Sequence, residues 1–214
     1  MNFADYLASR WDHLLELGIE HAVVTGVAVL IATVIGMGIG MATYRRERSR
    51  QFAISVVSVF LTIPSLALFG LFISVLGLGT TPVVIALVMY SLLPIVANTI
   101  VGLREVDPAI VESAQGMGMN RWQLLLRIEL PLAWPVILTG MRVSTLIALG
   151  IVALGAYILG PGLGNDIFDG LGRIDSPNAL NFVLGGTLGV IVLAVLFDLL
   201  YVLLNRLTTS RGIQ

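Results

Sequence analysis

The sequence predicts an all-α polytopic membrane protein with five membrane-spanning helices, and three observations carry that prediction. Hydrophobic residues fill 57% of the 214 positions and charged residues only 12%, against roughly 45–50% apolar usage in soluble domains. Mean hydropathy is +0.97. Apolar windows of about twenty residues recur along the chain, each long enough to cross a hydrocarbon core of about 30 Å as a helix.

The elements follow in order. The residues before the first span carry Asp5, Arg10, Asp12 and Glu16, the wrong balance for a basic leader. The apolar run that follows, about 20–43, is too long for a cleaved signal and ends in YRRERSR, so it reads as an uncleaved first span. The second span, about 54–76, contains Pro64, and the third, about 82–103, contains Pro94. A polar, glycine-punctuated loop at 104–135 precedes a fourth span at about 136–159. A glycine-rich outer loop at 160–178, slightly acidic through Asp166, Asp169 and Asp175, leads to the fifth span, about 180–204. No linker or internal repeat divides the chain, so residues 1–214 read as one transmembrane domain.

Orientation comes from the arginines. Placing Arg45, Arg46, Arg48 and Arg50 in the cytoplasm also places Arg104, Arg121, Arg127, Arg206 and Arg211 there, nine inside against Arg10 and Arg173 outside. The N-terminus is then outside, the C-terminus inside, and the loop at 104–135 cytoplasmic. The cluster at 45–50 reads as this topology determinant, with contact to anionic lipid as the other reading.

Composition removes several chemistries. All twelve basic residues are arginine, so a P-loop or a Schiff base has no amine to use. The absence of cysteine excludes disulfides and thiolate sites. His13 and His21, both near the N-terminus, read as interfacial residues rather than metal ligands. A net charge of −1 gives no field that would draw nucleic acid.

The cytoplasmic segment is more elaborate than a connection requires. Asp107-Pro108 has the pattern of an N-cap with proline at the first helical position, starting a helix over about 108–117. Gly116 and Gly118 supply left-handed conformations for a sharp corner. Asn120 with Gln123 forms a capping box for a second helix, which Pro131 and Pro135 are expected to break before the fourth span. Met117 and Met119 flank the corner as plastic apolar contacts. Two readings are open on local pattern: a docking surface for a partner, or, through WQLLLRI, an amphipathic helix lying on lipid headgroups.

The same stretch resembles the EAA motif of binding-protein-dependent ABC importer permeases, whose pattern is E-A-A, G after three residues, and I-x-L-P after nine more. The matching positions are Glu112, Ser113, Ala114, Gly118, Ile128, Leu130 and Pro131, with Ser113 the single departure. TIPSLALFGL, YSLLPIVANTIVGLREVDPAIVESAQG and GPGLGNDIF extend the resemblance to permeases of osmoprotectant importers, which carry glycine betaine, carnitine, choline and related solutes. The methionine importer permeases are similar in length and span number but differ around 61–70 and 89–107. The resemblance implies the type I ABC importer permease fold in a bacterial cytoplasmic membrane. It also implies that Glu112, Ser113, Ala114, Met117, Gly118, Met119 and Asn120 form a coupling helix seated on a separate cytoplasmic ATPase. On this reading ATP and Mg belong to that partner, this chain has no cofactor, and an extracytoplasmic binding protein delivers the solute.

Five helices are too few to enclose a path, so a second permease chain, identical or not, is expected. Gly36 with Gly40, and Gly185 with Gly189, have the spacing of close helix contacts. Pro64 and Pro94 free backbone groups at membrane depth, which points to a cavity. Thr62, Ser65, Ser91 and Asn98 lie close by as small neutral lining groups, and Tyr90 and Tyr157 offer ring faces to a quaternary ammonium. Plain packing is the other reading of each. Arg142 and Asp198 are charges inside spans and are expected to pair. The rivals from other classes are a five-span channel or secondary carrier working without ATP, a membrane scaffold, and a membrane enzyme. A carrier would need acids along its path, and apart from Asp198 the spans supply hardly any.

Overall fold

A computed structural model describes residues 2–209, so Arg211 of the orientation argument lies outside the described residues. Every regular element among them is helical. Helix α1, Phe3–Ser9, is capped by the Asn2 side chain, which accepts from the Asp5 amide at 2.8 Å. Helix α2, Trp11–Thr43, starts well before the expected residue 20 and carries Asp12 and Glu16 within it.

The second predicted span is two helices, α3 (Glu47–Thr62) and α4 (Ser65–Leu76), set at 92° to each other. The cause is local. Proline disfavours a helical conformation in the residue before it, and Ile63 sits extended at ψ 125°. Its carbonyl receives the Tyr90 hydroxyl at 2.6 Å. Four helices are individually long and apolar enough to cross a membrane, and the bent pair makes a fifth if it is one broken span.

Helix α5, Thr80–Arg104, runs unbroken through Pro94. Helix α6, Pro108–Gly116, and α7, Arg121–Leu124, make up the loop. Here the structure corrects the sequence reading: Pro131 and Pro135 break nothing. A π-helical turn at Leu125–Glu129 joins α7 to α8, Leu130–Gly155, and one helical path runs from Arg121 to Ile158. A wide turn inserts a residue into the i→i−4 ladder, and Pro131 then falls in the first turn of α8, where an absent N–H costs nothing. The Thr139 hydroxyl donates to the carbonyl of Pro135 at 3.1 Å.

The glycine-rich loop at 160–178 contains a helix that the sequence reading did not place. It folds into α9, Gly164–Gly172, before α10, Ala179–Thr208. Asp166 is buried and takes the Tyr6 hydroxyl at 2.9 Å, Arg10 at 3.2 Å and His13 Nε2 at 3.2 Å. His13 is exposed and contacts Asp166, whereas His21 departs from the interfacial reading. His21 is fully buried, with Nε2 3.0 Å from the Leu149 carbonyl.

Helix α5 is the centre, packed between α2 and α8. At Gly40 the α2 backbone approaches so closely that a Cβ would lie 2.5 Å from the Thr99 methyl, and one at Gly36 would lie 2.8 Å from Ile95. Gly185 and Gly189 serve different neighbours, Tyr6 of α1 and Leu163 beside α9, rather than another long helix. One core cluster joins Tyr44, Val57, Ile95, Ile100, Leu103, Leu125, Ile137 and Tyr201 at the ends of the helices nearest α6 and α7. A second joins Val29, Phe69, Leu87, Tyr90 and Val152 towards the other end. Helix α10 remains open, with only 6% of its apolar window buried.

Candidate docking elbow and translocation elements

The elbow is built by local chemistry. The Asp107 carboxylate accepts from the Ala109 amide at 2.8 Å and starts α6. Gly118, at φ 84°, turns the chain; L side chains rarely adopt that conformation. Asn120 Oδ1 accepts the amides of Trp122 and Gln123 at 3.0 and 2.9 Å, while Gln123 Oε1 accepts the Asn120 amide at 2.9 Å. The capping box predicted from sequence is thus complete, satisfying donors that a short helix otherwise leaves to water. Gly116 stays within α6 and only Gly118 of the two glycines has positive φ.

The seven predicted elbow residues lie together. Ala114 is buried against the rest of the loop, Met119 is half-buried, and Glu112, Ser113, Gly118 and Asn120 are exposed. Met117 is 72% exposed at the tip. A large apolar side chain held out from a doubly capped corner is suited to a protein groove. Beside it Trp122 is also 72% exposed and, with Leu125 and Leu126, faces Met41 and Ala42 of α2 across an apolar groove of about 480 Å³.

The residues singled out for a path fall into two groups. Thr62 and Ser65 flank the α3–α4 bend, Thr62 donating to the Val59 carbonyl at 2.7 Å. Tyr90 stands at the same bend but is buried, its hydroxyl committed to Ile63. Ser91 is buried, its hydroxyl without a protein partner, while its carbonyl takes the Ser144 hydroxyl at 2.8 Å. Asn98 donates to the Pro94 carbonyl at 2.8 Å, and both lie against Gly140 of α8. At the break before Pro64 the Thr62 and Tyr90 hydroxyls satisfy backbone carbonyls, as an intramembrane proline requires. Tyr157 is exposed, its ring 6.1 Å from Phe168 of α9.

Arg142 and Asp198 form an ion pair at 2.5 Å that ties α8 to α10. Besides the cluster at Asp166, a second charged cluster escaped the sequence reading. Glu129, in the π turn, is 5% exposed and accepts from the Tyr44 hydroxyl at 2.6 Å and from Arg45 at 3.1 and 3.3 Å. Burial pushes the Tyr44 phenol up to about 12, and its hydrogen bond to Glu129 adds to the push. The only sequence signal was an acid set within an apolar run, LLLRIELPL. Among the described residues no three His, Asp or Glu side chains gather as a metal site.

Comparison with known proteins fits this geometry. The family model described as "Binding-protein-dependent transport system inner membrane component" matches residues 33–210. The glycine betaine/carnitine/choline transport system permease protein OpuCB of Bacillus subtilis is 34% identical over 98% of this chain and 94% of its own length. The carnitine transport permease protein OpuCB of Listeria monocytogenes is 38% identical over 100% of this chain and 92% of its own. The osmoprotectant import permease protein OsmW of Salmonella typhimurium is 33% identical over the full length of both. In structure, a chain of the MetNI methionine ABC transporter in an inward-facing conformation superposes with a TM-score of 0.79, covering 92% of this chain and 96% of that one. At 21% identity that likeness concerns the fold alone.

Proposed function

The chain belongs to the family of binding-protein-dependent transport system inner membrane components, and from that membership we propose that it is the permease subunit of an ATP-driven importer for compatible solutes of the glycine betaine, carnitine and choline class. It sits in the bacterial cytoplasmic membrane as one transport domain, the N-terminus outside and the elbow in the cytoplasm. A separate ATPase binds ATP and Mg and seats against Glu112–Asn120. An extracytoplasmic binding protein hands solute to the outer loops, and a second permease chain completes the path.

The observation that carries this reading is the elbow itself: a stiff, capped, exposed corner between two long apolar helices, in a chain with no lysine to hold a nucleotide in a P-loop. The uncovered faces of α10 and α2 support the second chain and the surrounding lipid, since Ile191, Val195, Leu199, Leu30 and Val34 are all exposed. Closure of the ATPase pair moves the elbow, and because α6 continues covalently from α5 and α7 into α8, the displacement enters both helices at once.

The solute class follows from the relatives that match over nearly the whole chain. Uptake by the complex in liposomes, with binding protein outside and ATP inside, is expected for glycine betaine, choline or carnitine and not for methionine. Uptake that proceeds without ATP or ATPase would replace this reading with a channel or carrier.

A further inference from the structure

The elbow has few footholds. Among the described residues helix α6 packs chiefly on α7 and on the π turn. Its motion reaches the long helices through the chain itself, into α5 at one end and α8 at the other. Helix α2 has no such covalent link to the elbow, yet it lines α5 along most of its length. If only α5 and α8 followed the elbow, they would have to slide against α2 at the tight Gly36–Ile95 and Gly40–Thr99 contacts.

Besides the direct packing of α2 on α8, a polar connection spans this gap. The π turn widens the helix at Leu125–Glu129 and directs Glu129 inwards, where Tyr44 and Arg45, the two residues immediately past the end of α2, hold it. Arg45 also donates to the Tyr44 oxygen at 2.5 Å, so the three side chains close a ring of hydrogen bonds. The Tyr44 ring is itself part of the core cluster that contains Leu125, Leu103 and Ile137. A buried carboxylate with a cation and a neutral donor is costly to break and fixed in direction. Retention of an acid where Leu or Ile would pack more cheaply calls for such a role. Glu129 occupies the unspecified position within the I-x-L-P end of the motif.

We propose that Glu129, Tyr44 and Arg45 form a transmission tie that makes α2 move with the docking elbow, so that nucleotide-driven displacement shifts α2, α5 and α8 as one block. Glu129, buried in the tie, is a positioning residue that acts through α2. The proposal rests on the elbow being the ATPase contact. Its loss therefore uncouples rather than disassembles.

The test is solute moved per ATP hydrolysed, measured in liposomes holding the complete complex with binding protein and glycine betaine, for wild type, Glu129→Gln and Tyr44→Phe. Gln keeps the shape and removes the charge; Phe keeps the core ring and removes one hydroxyl. The tie predicts that both complexes co-purify with ATPase and hydrolyse ATP, while uptake per ATP drops about tenfold for Glu129→Gln and less for Tyr44→Phe. Should the Gln variant not assemble, Tyr44→Phe carries the same reading. Unchanged uptake per ATP in the assembled variants, beside a working wild type, overturns the tie alone. A wild-type complex that hydrolyses ATP without moving solute overturns the functional reading and the tie with it.

Discussion

Removing the Tyr44 hydroxyl leaves the Glu129 carboxylate with Arg45 alone. Losing one hydrogen bond to a buried charge costs roughly 1–3 kcal/mol, so Tyr44→Phe is expected to lower the unfolding midpoint of the purified chain in detergent. The gap should depend on pH. The folded-state phenol lies above its ordinary value, so its protonated form stabilises the fold fully below pH about 10. That contribution is lost as pH rises through the folded value of about 12, and the wild-type and variant midpoints should converge there; parallel curves would refute the assignment. At the other ion pair, Asp198→Asn leaves Arg142 without its partner between α8 and α10. Lower yield of assembled complex is expected, with the order of preference among solutes unchanged. A changed order would place Asp198 on the path instead.

At the scale of elements, the glycines separate cleanly into those that meet a neighbour and those that do not. Gly40→Ala drives a methyl into Thr99, whereas nothing lies within 4 Å of a methyl at Gly38. Overpacking costs typically about 1–3 kcal/mol, so thermal unfolding should register Gly40→Ala and pass over Gly38→Ala. In the elbow, Asn120→Ala removes a cap that accepts two amides and is expected to cost about 1 kcal/mol of local stability, seen as faster amide exchange at 121–124. These elements were legible because their signals are local: Asp107-Pro108, the Asn120–Gln123 box and the corner at Gly118 each act within four residues. The prolines were not read correctly, since the outcome depends on partners elsewhere. Pro64 bends its segment by 92° with Tyr90 bracing the freed carbonyl, while Pro131 is absorbed by a π turn that no residue pattern announces.

For the whole molecule, composition and window length were enough for an all-helical membrane fold, and the spacing of Glu112, Gly118 and Pro131 was enough for the family. What sequence could not reveal are the long-range ties. Glu129 meets Tyr44 across 85 positions, and Asp166 meets Tyr6 across 160; an acid within an apolar run marks Glu129 as unusual, but nothing local names either acid's partner. The two ties sit at opposite ends of α2, one fastening it to the elbow and the other bringing α1 onto α9. Seating of the elbow on a separate ATPase is open to direct measurement, because the absence of cysteine from the sequence makes a single introduced thiol an unambiguous probe. Cross-linking of Met117→Cys in the assembled complex is expected to join this chain to the ATPase subunit, while the same substitution at Leu171, exposed on α9, joins it to none. If the thiol at 117 yields no ATPase adduct and is instead quenched by a lipid-phase probe, the elbow lies in the bilayer and is not an ATPase contact.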